Sequence, residues 1–320
     1  MEEILQRIHD TGIVPVIAID DAEKAVPLAK ALLKGGLPAA EVTFRTAAAE
    51  DAIKAIIKEV PEMLVGAGTV TTRDQADRAI RAGVKFIVCP GYDPDLVKYV
   101  LSQKVLVLPG TATAGEMEQA MALGLTAVKF FPAEANGGIS MLKALAGPFR
   151  TLYWMPTGGI NTKNLTDYMC FDHILACGGT WMVKDELING EKWDEITSIC
   201  KEAVRTMMGF RLKHVGINCA DGKEADTTAE AFCSLFGLEL KSGNGSDFAG
   251  TLVECMKAPG HGKNGHIAIG TNNVDRAVYH LKLQGVEFDE STRKTDEKGN
   301  TMLIYMKNEL SGFAVHLVKN

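Results

Sequence analysis

No stretch of this 320-residue chain holds the roughly 18–20 consecutive apolar residues that a membrane-spanning helix requires. The opening residues, MEEILQRIHDTG, lack the apolar core of a secretory signal and read as a short amphipathic helix. Positive charge is not in excess. The net charge is −6, so no basic field is available to hold nucleic acid or an anionic membrane. Cysteine is sparse and unpatterned, with seven residues at 89, 170, 177, 200, 219, 233 and 255 and no C-x-x-C spacing. An odd, scattered set excludes a disulfide framework and points to the reducing cytoplasm. What remains is a globular composition, 46% hydrophobic and 23% charged, in a chain long enough for two domains.

Two textures alternate from residue 13 to about 208. Short apolar runs rich in β-branched residues occur at VPVIAI (14–19), AAEVTF (39–44), MLVGAG (63–68) and KFIVCP (85–90). Four more follow at VLVLPG (105–110), AVKFFP (127–132), LYWMPT (152–157) and HILACGG (173–179). Between them lie segments with apolar residues at helical spacing, such as DAEKAVPLAKALLKG and TRDQADRAIRAG. Gly35, Gly83 and Gly124 stand where these helices close and suit left-handed C-terminal caps. Eight strand–helix units in so short a span predict an α/β fold of the (β/α)8 TIM-barrel kind at its compact limit. A doubly wound open sheet would alternate in the same way, but no G-x-G-x-x-G follows the first strand, and eight units suit closure better.

Three features carry chemistry. Lys129 lies in the middle of the sixth run, sharing one face with Ala127 and Phe131. Burial penalises its charge, and a neutral amine in an apolar cavity can attack a ketone to form an imine. The competing reading is a lysine that snorkels from a strand end to solvent. On the second run Glu41, Thr43 and Arg45 alternate along one face. The arginine suits a substrate carboxylate and the glutamate can move protons, although a Glu–Arg pair can also be structural. Small and hydroxyl residues end three runs: Gly66 to Thr69, Thr157-Gly158-Gly159 and Gly178-Gly179-Thr180. Glycines at the seventh and eighth strand ends let backbone N–H groups approach an anion, and such pairs also make tight turns.

The segments EVTFRT, VGAGTV, CPG, KFFPAEANGG, AGPF, PTGGI and CGGTW resemble, in order and spacing, the KDPG/KHG aldolase family over about residues 1–207. The resemblance implies a class I Schiff-base aldolase on a (β/α)8 barrel, a homotrimer, with no cofactor or metal beyond the lysine imine. Its substrates would be 2-keto-3-deoxy-6-phosphogluconate, split to pyruvate and glyceraldehyde 3-phosphate, or 4-hydroxy-2-oxoglutarate, split to pyruvate and glyoxylate. Carried over by motif, Lys129 forms the imine and Glu41 is the general acid/base. Arg45, Thr69 and Gly158 fall where the pyruvyl carboxylate is held, with Thr157 at the same strand end. Phe131 packs on the substrate, while Gly159, Gly179 and Thr180 line the phosphate end. The family often has serine where Thr180 stands, so the hydroxyl survives and the added methyl narrows the pocket.

Near residue 209 the texture changes without a linker, which divides the chain into domains 1–208 and 209–320. The second is expected to be a smaller α+β domain of two βαβββ modules, because the openings His214-Val-Gly-Ile and His266-Ile-Ala-Ile stand 52 residues apart and are each followed by a helix and further strands. This duplication resembles the glyoxalase-like, or vicinal-oxygen-chelate, superfamily. The resemblance implies a divalent metal held by His214, Glu254, His266 and His316, a set suited to Zn, Ni, Fe or Mn. A carboxylate is more usual where His316 stands. Two alternatives to a single aldolase follow. One is a bifunctional protein with a glyoxalase-like enzyme at its C-terminus, and the other a metabolite-sensing module on an inactive barrel. The retained set of Lys129, Glu41 and Arg45 argues against an inactive barrel.

Overall fold

Strands buried along their length, apart from the exposed Tyr153 that opens one of them, organise the first part of the chain. They are β1 (Ile13–Ile17), β2 (Ala39–Thr43), β3 (Leu64–Gly68), β4 (Phe86–Val88) and β5 (Leu106–Leu108). After them come β6 (Gly110–Thr111), β7 (Ala127–Phe130), β8 (Tyr153–Pro156) and β9 (Cys177–Gly179). Such burial follows when helices cover one face of a parallel sheet and side chains fill the other. The computed structural model describes residues 1–320 and divides into two compact units, Met1–Met207 and Met208–Asn320.

In the first unit all strands pair in parallel, in the orders β5-β4-β3-β2-β1-β9 and β6-β7-β8. β5 and β6 are one run interrupted at Pro109, which has no N–H for the ladder. Across that seam the Lys129 N–H donates to the Pro109 carbonyl at 2.9 Å. At the other seam Trp154 bridges Ile174 and Thr157 bridges Gly178. The helix Glu2–Thr11 brings Ile8, Ile4 and Leu5 against a core cluster that includes Val14, Ala39, Leu64, Phe86, Leu106 and Ala127. These residues stand at or near the starts of their strands, so apolar packing fills that end and leaves the C-terminal ends for polar groups.

Helices start where the sequence offers caps. The Thr113 hydroxyl accepts from the Glu116 N–H, and the Glu116 carboxylate accepts in return from the Thr113 N–H. The glycine caps divide. Gly83 and Gly124 have φ of 98° and 81°, as expected of left-handed caps. Gly35 instead keeps a right-handed conformation at φ −81°, and Gly36 carries the left-handed turn at φ 88°. Gly35 is needed for space, because a Cβ there would run into the Cys200 side chain on the helix Trp193–Met208.

The second unit is one eight-stranded sheet in the order β11-β12-β13-β10-β14-β17-β16-β15. Its first half holds β10 (Arg211–Asn218), a helix Gly222–Phe236, β11 (Leu240–Ser242), β12 (Ser246–Ala249) and β13 (Val253–Met256). Its second half holds β14 (Gly265–Thr271), a helix Val274–Lys282, β15 (Phe288–Thr295), β16 (Thr301–Met306) and β17 (Phe313–Lys319). β12 lies in a Gly- and Ser-rich stretch. It becomes a strand because β11 and β13 both pair with it.

Candidate functional site

Glu41 sits at the centre of β2, wholly buried, in register with Val16 on β1 and Gly66 on β3. Room for its carboxylate comes from Gly68, where a Cβ would collide with the Glu41 side chain. Lys129, 4% exposed, projects from β7 and brings Nζ within 3.6 Å of Glu41 Oε1. Neither Glu41 oxygen has a hydrogen-bond partner in the chain. A separation of 3.6 Å pairs the charges yet leaves the carboxylate's acceptor capacity unused. The Phe131 ring lies beside the amine, 5.1 Å from Nζ to its centroid. Cys89 belongs to the same neighbourhood. Burial pushes its thiol up to about 12, against the opposing charge of Lys129, so it stays protonated and inert.

The remaining residues singled out by sequence ring the same strand ends. Arg45 is two residues past β2, exposed, and its Nε donates to Thr69 Oγ1 at 3.2 Å. Thr69 holds φ at 56°, a left-handed conformation that a β-branched residue adopts only when its surroundings impose it. Thr157 is buried and packs over Gly178, where a Cβ would strike its hydroxyl. Gly158 and Gly159 follow with φ of 97° and 84°, and Gly158 lies against Pro132 and the Phe131 ring. Gly179 ends β9 under the Trp181 ring, and Thr180 is exposed one residue beyond. The structure therefore gathers Lys129, Glu41 and Phe131 at the centre, pairs Arg45 with Thr69, and joins Thr157–Gly159 to Gly178. Thr43, on the Glu41 face, is spent locally, its hydroxyl donating to the Ile17 carbonyl at 2.8 Å.

Sequence reasoning missed a layer behind the glycine turn. The Gly159 carbonyl accepts from Asn161 Nδ2 at 3.0 Å and from Asn164 Nδ2 at 3.1 Å. Glu134 donates its N–H to the Gly158 carbonyl at 3.1 Å, and its carboxylate accepts a short hydrogen bond from the buried Tyr168 hydroxyl. The available signal was the pair of asparagines three apart directly after PTGGI, a spacing at which side-chain amides close turns on nearby backbone.

The second unit assembles a second polar cluster. His214 on β10 and His266 on β14 approach with Nε2 atoms 3.1 Å apart, and each stands 3.1 Å from Glu254 Oε2 on β13. Gly216 faces His266 across the β10–β14 ladder, and a Cβ at 216 would occupy the imidazole's place. Burial opposes ionisation of Glu254, but hydrogen bonds from His214, His266 and Ser246 outweigh it and hold the carboxyl well below the usual range. His316, the fourth residue of the expected set, sits on β17 beside this trio without joining it. Its ring centroid is 5.6 Å from that of His214 and 5.2 Å from that of His266. It is buried, with its ring edge-on to that of Tyr305. Desolvation, with His266 and His214 adding to it, pushes its imidazole down to about 3.

Residues 4–199 match the family model described as aldolase, KDPG and KHG aldolase. The chain is 44% identical over 203 residues to 2-dehydro-3-deoxy-phosphogluconate aldolase of Haemophilus influenzae, covering 63% of this chain and 96% of that protein. Among solved structures it is similar to the KDPG aldolase of Legionella pneumophila with pyruvate captured as a covalent carbinolamine intermediate. The TM-score there is 0.61 at 38% identity, over 62% of this chain and 97% of that one. The 2-keto-3-deoxy-6-phosphogluconate aldolase of Zymomonas mobilis with 3-phosphoglycerate gives a TM-score of 0.59 at 41% identity, over 63% and 95%.

Proposed function

Because the chain belongs to the KDPG and KHG aldolase family, we propose that its first unit, read as a closed (β/α)8 barrel, is a Schiff-base lyase that cleaves 2-keto-3-deoxy-6-phosphogluconate to pyruvate and glyceraldehyde 3-phosphate. 4-Hydroxy-2-oxoglutarate, giving pyruvate and glyoxylate, is the second substrate. The observation that carries this reading is the buried pair of Lys129 and Glu41 at 3.6 Å, a nucleophile beside a base from within β7 and β2.

Lys129 passes a proton to Glu41, its neutral amine attacks the C2 ketone, and the Glu41 carboxyl returns that proton to the departing hydroxyl, so that loss of water leaves a protonated imine and a Glu41 carboxylate. Glu41, with its lone pairs unspent, takes the proton of the C4 hydroxyl. The C3–C4 electron pair then flows toward the iminium nitrogen, releasing the aldehyde and leaving an enamine. Protonation at C3 and addition of water return pyruvate and the free amine. Arg45, held by Thr69, receives the substrate carboxylate together with Gly158, and Phe131 walls the reacting carbons. Gly159, Gly179 and Thr180 receive the far end, where backbone N–H groups suit a phosphate, and Thr157 packs over Gly178 beside them. The carbinolamine captured with pyruvate in the Legionella structure supports the lysine route, and 3-phosphoglycerate in the Zymomonas structure supports a phosphorylated substrate. Like its relatives by resemblance, the barrel is proposed to assemble as a homotrimer.

Borohydride reduction in the presence of pyruvate tests the route. A covalent adduct is expected on Lys129, lost in Lys129→Ala together with cleavage. An adduct elsewhere, or turnover by Lys129→Ala, defeats the assignment.

A second reading concerns the other unit, residues 209–320, proposed as a glyoxalase-like pair of βαβββ modules. Two imidazoles and a carboxylate whose donor atoms lie 3.1 Å apart in pairs can all be reached by one divalent ion with bonds of about 2.1 Å. His214, Glu254 and His266 would hold it, with His316 facing its open side, and the ion would supply Lewis acidity to a ligand bound there. Metal analysis of the purified full chain before and after incubation with Zn, Ni, Fe or Mn decides the point, and a protein that stays empty ends the reading.

A further inference from the structure

The glycine turn after β8 is aimed by side chains that never reach the substrate. Each peptide of the turn is planar and trans, so its N–H points opposite to the carbonyl of the same peptide. The Gly158 carbonyl is fixed by the Glu134 N–H, which turns the Gly159 N–H the other way. The Gly159 carbonyl is fixed by two amides, Asn161 Nδ2 and Asn164 Nδ2, which turns the Ile160 N–H the other way. Neither the Gly159 nor the Ile160 N–H meets an acceptor in the chain. Two successive N–H groups are therefore displayed by anchoring the carbonyls behind them.

The amide orientations are fixed by the network. Asn164 Oδ1 accepts from the Asn161 N–H at 2.9 Å and Asn161 Oδ1 from the Lys163 N–H at 2.9 Å, so each Nδ2 is the atom left to meet Gly159. Glycine at 159 is required twice over. Its φ of 84° disfavours other residues, and a Cβ would enter the Glu134 side chain that Tyr168 holds in place.

We propose that Asn164, assisted by Asn161, is a positioning residue for the phosphate end of the substrate, acting through the Gly159 carbonyl to present the Gly159 and Ile160 N–H groups to the anion. The proposal rests on the reading of this turn as the phosphate end. It makes phosphate preference depend on residues that neither the imine nor the proton transfer uses. Without the two amides the Gly158–Gly159 turn is free to rotate, because glycine imposes no preference of its own.

The test uses the purified full chain, wild type, Asn164→Ala and Asn161→Ala. Rates are measured on the phosphorylated keto acid and on the same acid without phosphate, with inorganic phosphate as a competitive inhibitor. In Asn164→Ala the KM for the phosphorylated acid and the inhibition constant of phosphate rise together, on the order of tenfold. Its kcat, and its KM for the unphosphorylated acid, stay within about twofold of wild type. Asn161→Ala moves in the same direction by less, and it carries the test if Asn164→Ala fails to fold. A KM and inhibition constant that do not move, or a loss shared equally by both substrates, overturns the positioning role. A wild type with no preference between the two acids overturns the phosphate reading itself, and the proposal falls with it.

Discussion

Lys129 and Glu41 face each other at 3.6 Å from β7 and β2, with 4% and 0% of their surfaces exposed. In the proposed reaction the two groups take separate parts, and substitution separates them. Glu41→Gln keeps the shape and removes the base. Pyruvate adduct formation at Lys129 under borohydride is expected to persist, while kcat for cleavage falls by about 10²- to 10⁴-fold. Mass spectrometry of the reduced adduct and steady-state rates measure the two effects. Loss of both together would make Glu41 a structural partner of the amine and nothing more.

Gly68→Ala probes how that pair is housed. Gly68 lies opposite Thr43 on the β2–β3 ladder, and an added methyl group enters the space of the Glu41 carboxylate. Overpacking at such a site costs about 1–3 kcal/mol. The melting temperature should fall, and kcat should fall by about tenfold or more as the base is displaced. Both are read on one preparation by thermal melting and rate measurement. A variant with a lowered melting temperature and wild-type kcat would mean that Glu41 tolerates the shift.

The strands, and the face on which Lys129 lies, were legible because apolar runs and period-2 alternation are local signals. The break at Pro109 and the strand β12 were not, since each depends on which neighbour pairs with it. Gly35 misled for a related reason: a cap and a close helix contact both select glycine, and only packing against Cys200 tells them apart. Behind the glycine turn, the Asn161–Asn164 pair left a local signal, but the Tyr168–Glu134 contact joins residues 34 apart, beyond any local pattern. In the second unit the spacing of His214 and His266 was visible in the sequence. That Glu254 completes a trio while His316 stands aside was not, because β13 and β17 hold equivalent places in the strand order and only side-chain placement separates them.

Glu50 gives a pH dependence. Its carboxylate meets Lys54 Nζ at 2.7 Å and Arg78 Nε at 2.7 Å, tying the helix Ala49–Glu59 to the helix Arg73–Ala82. The bond from Lys54, then that from Arg78, lower the carboxyl from 4.5 to about 2. The folded state thus binds its proton less readily than the unfolded chain. The stabilisation is complete above pH 4.5 and fades as pH falls toward 2. Wild type should be more stable than Glu50→Gln at pH 6, with the difference shrinking through pH 4 and 3. All three tryptophans, Trp154, Trp181 and Trp193, lie in the first unit, so urea melts followed by their fluorescence report on it alone. A gap between the two proteins that stays constant with pH would show that the carboxyl is not perturbed.

His316 offers a test of the metal site proposed for the second cluster. It is 3% exposed, and desolvation by burial, with His266 and His214 adding to it, keeps it neutral. The cluster therefore offers one carboxylate, Glu254, among imidazoles. In His316→Glu a second carboxylate is buried beside Glu254, which repels it when no ion is bound and helps to neutralise a divalent ion when one is. The metal-free variant should melt below wild type, and added Zn²⁺ should raise its melting temperature by more than it raises that of wild type, corresponding to binding about tenfold tighter or more. Calorimetry of the full chain, after chelation and again with Zn²⁺, measures both shifts. Aldol cleavage should be the same in every sample, because the lysine route uses no ion. If His316→Glu shifts no further with Zn²⁺ than wild type does, the fourth position does not face a metal, and the trio of His214, Glu254 and His266 is a hydrogen-bonded cluster alone.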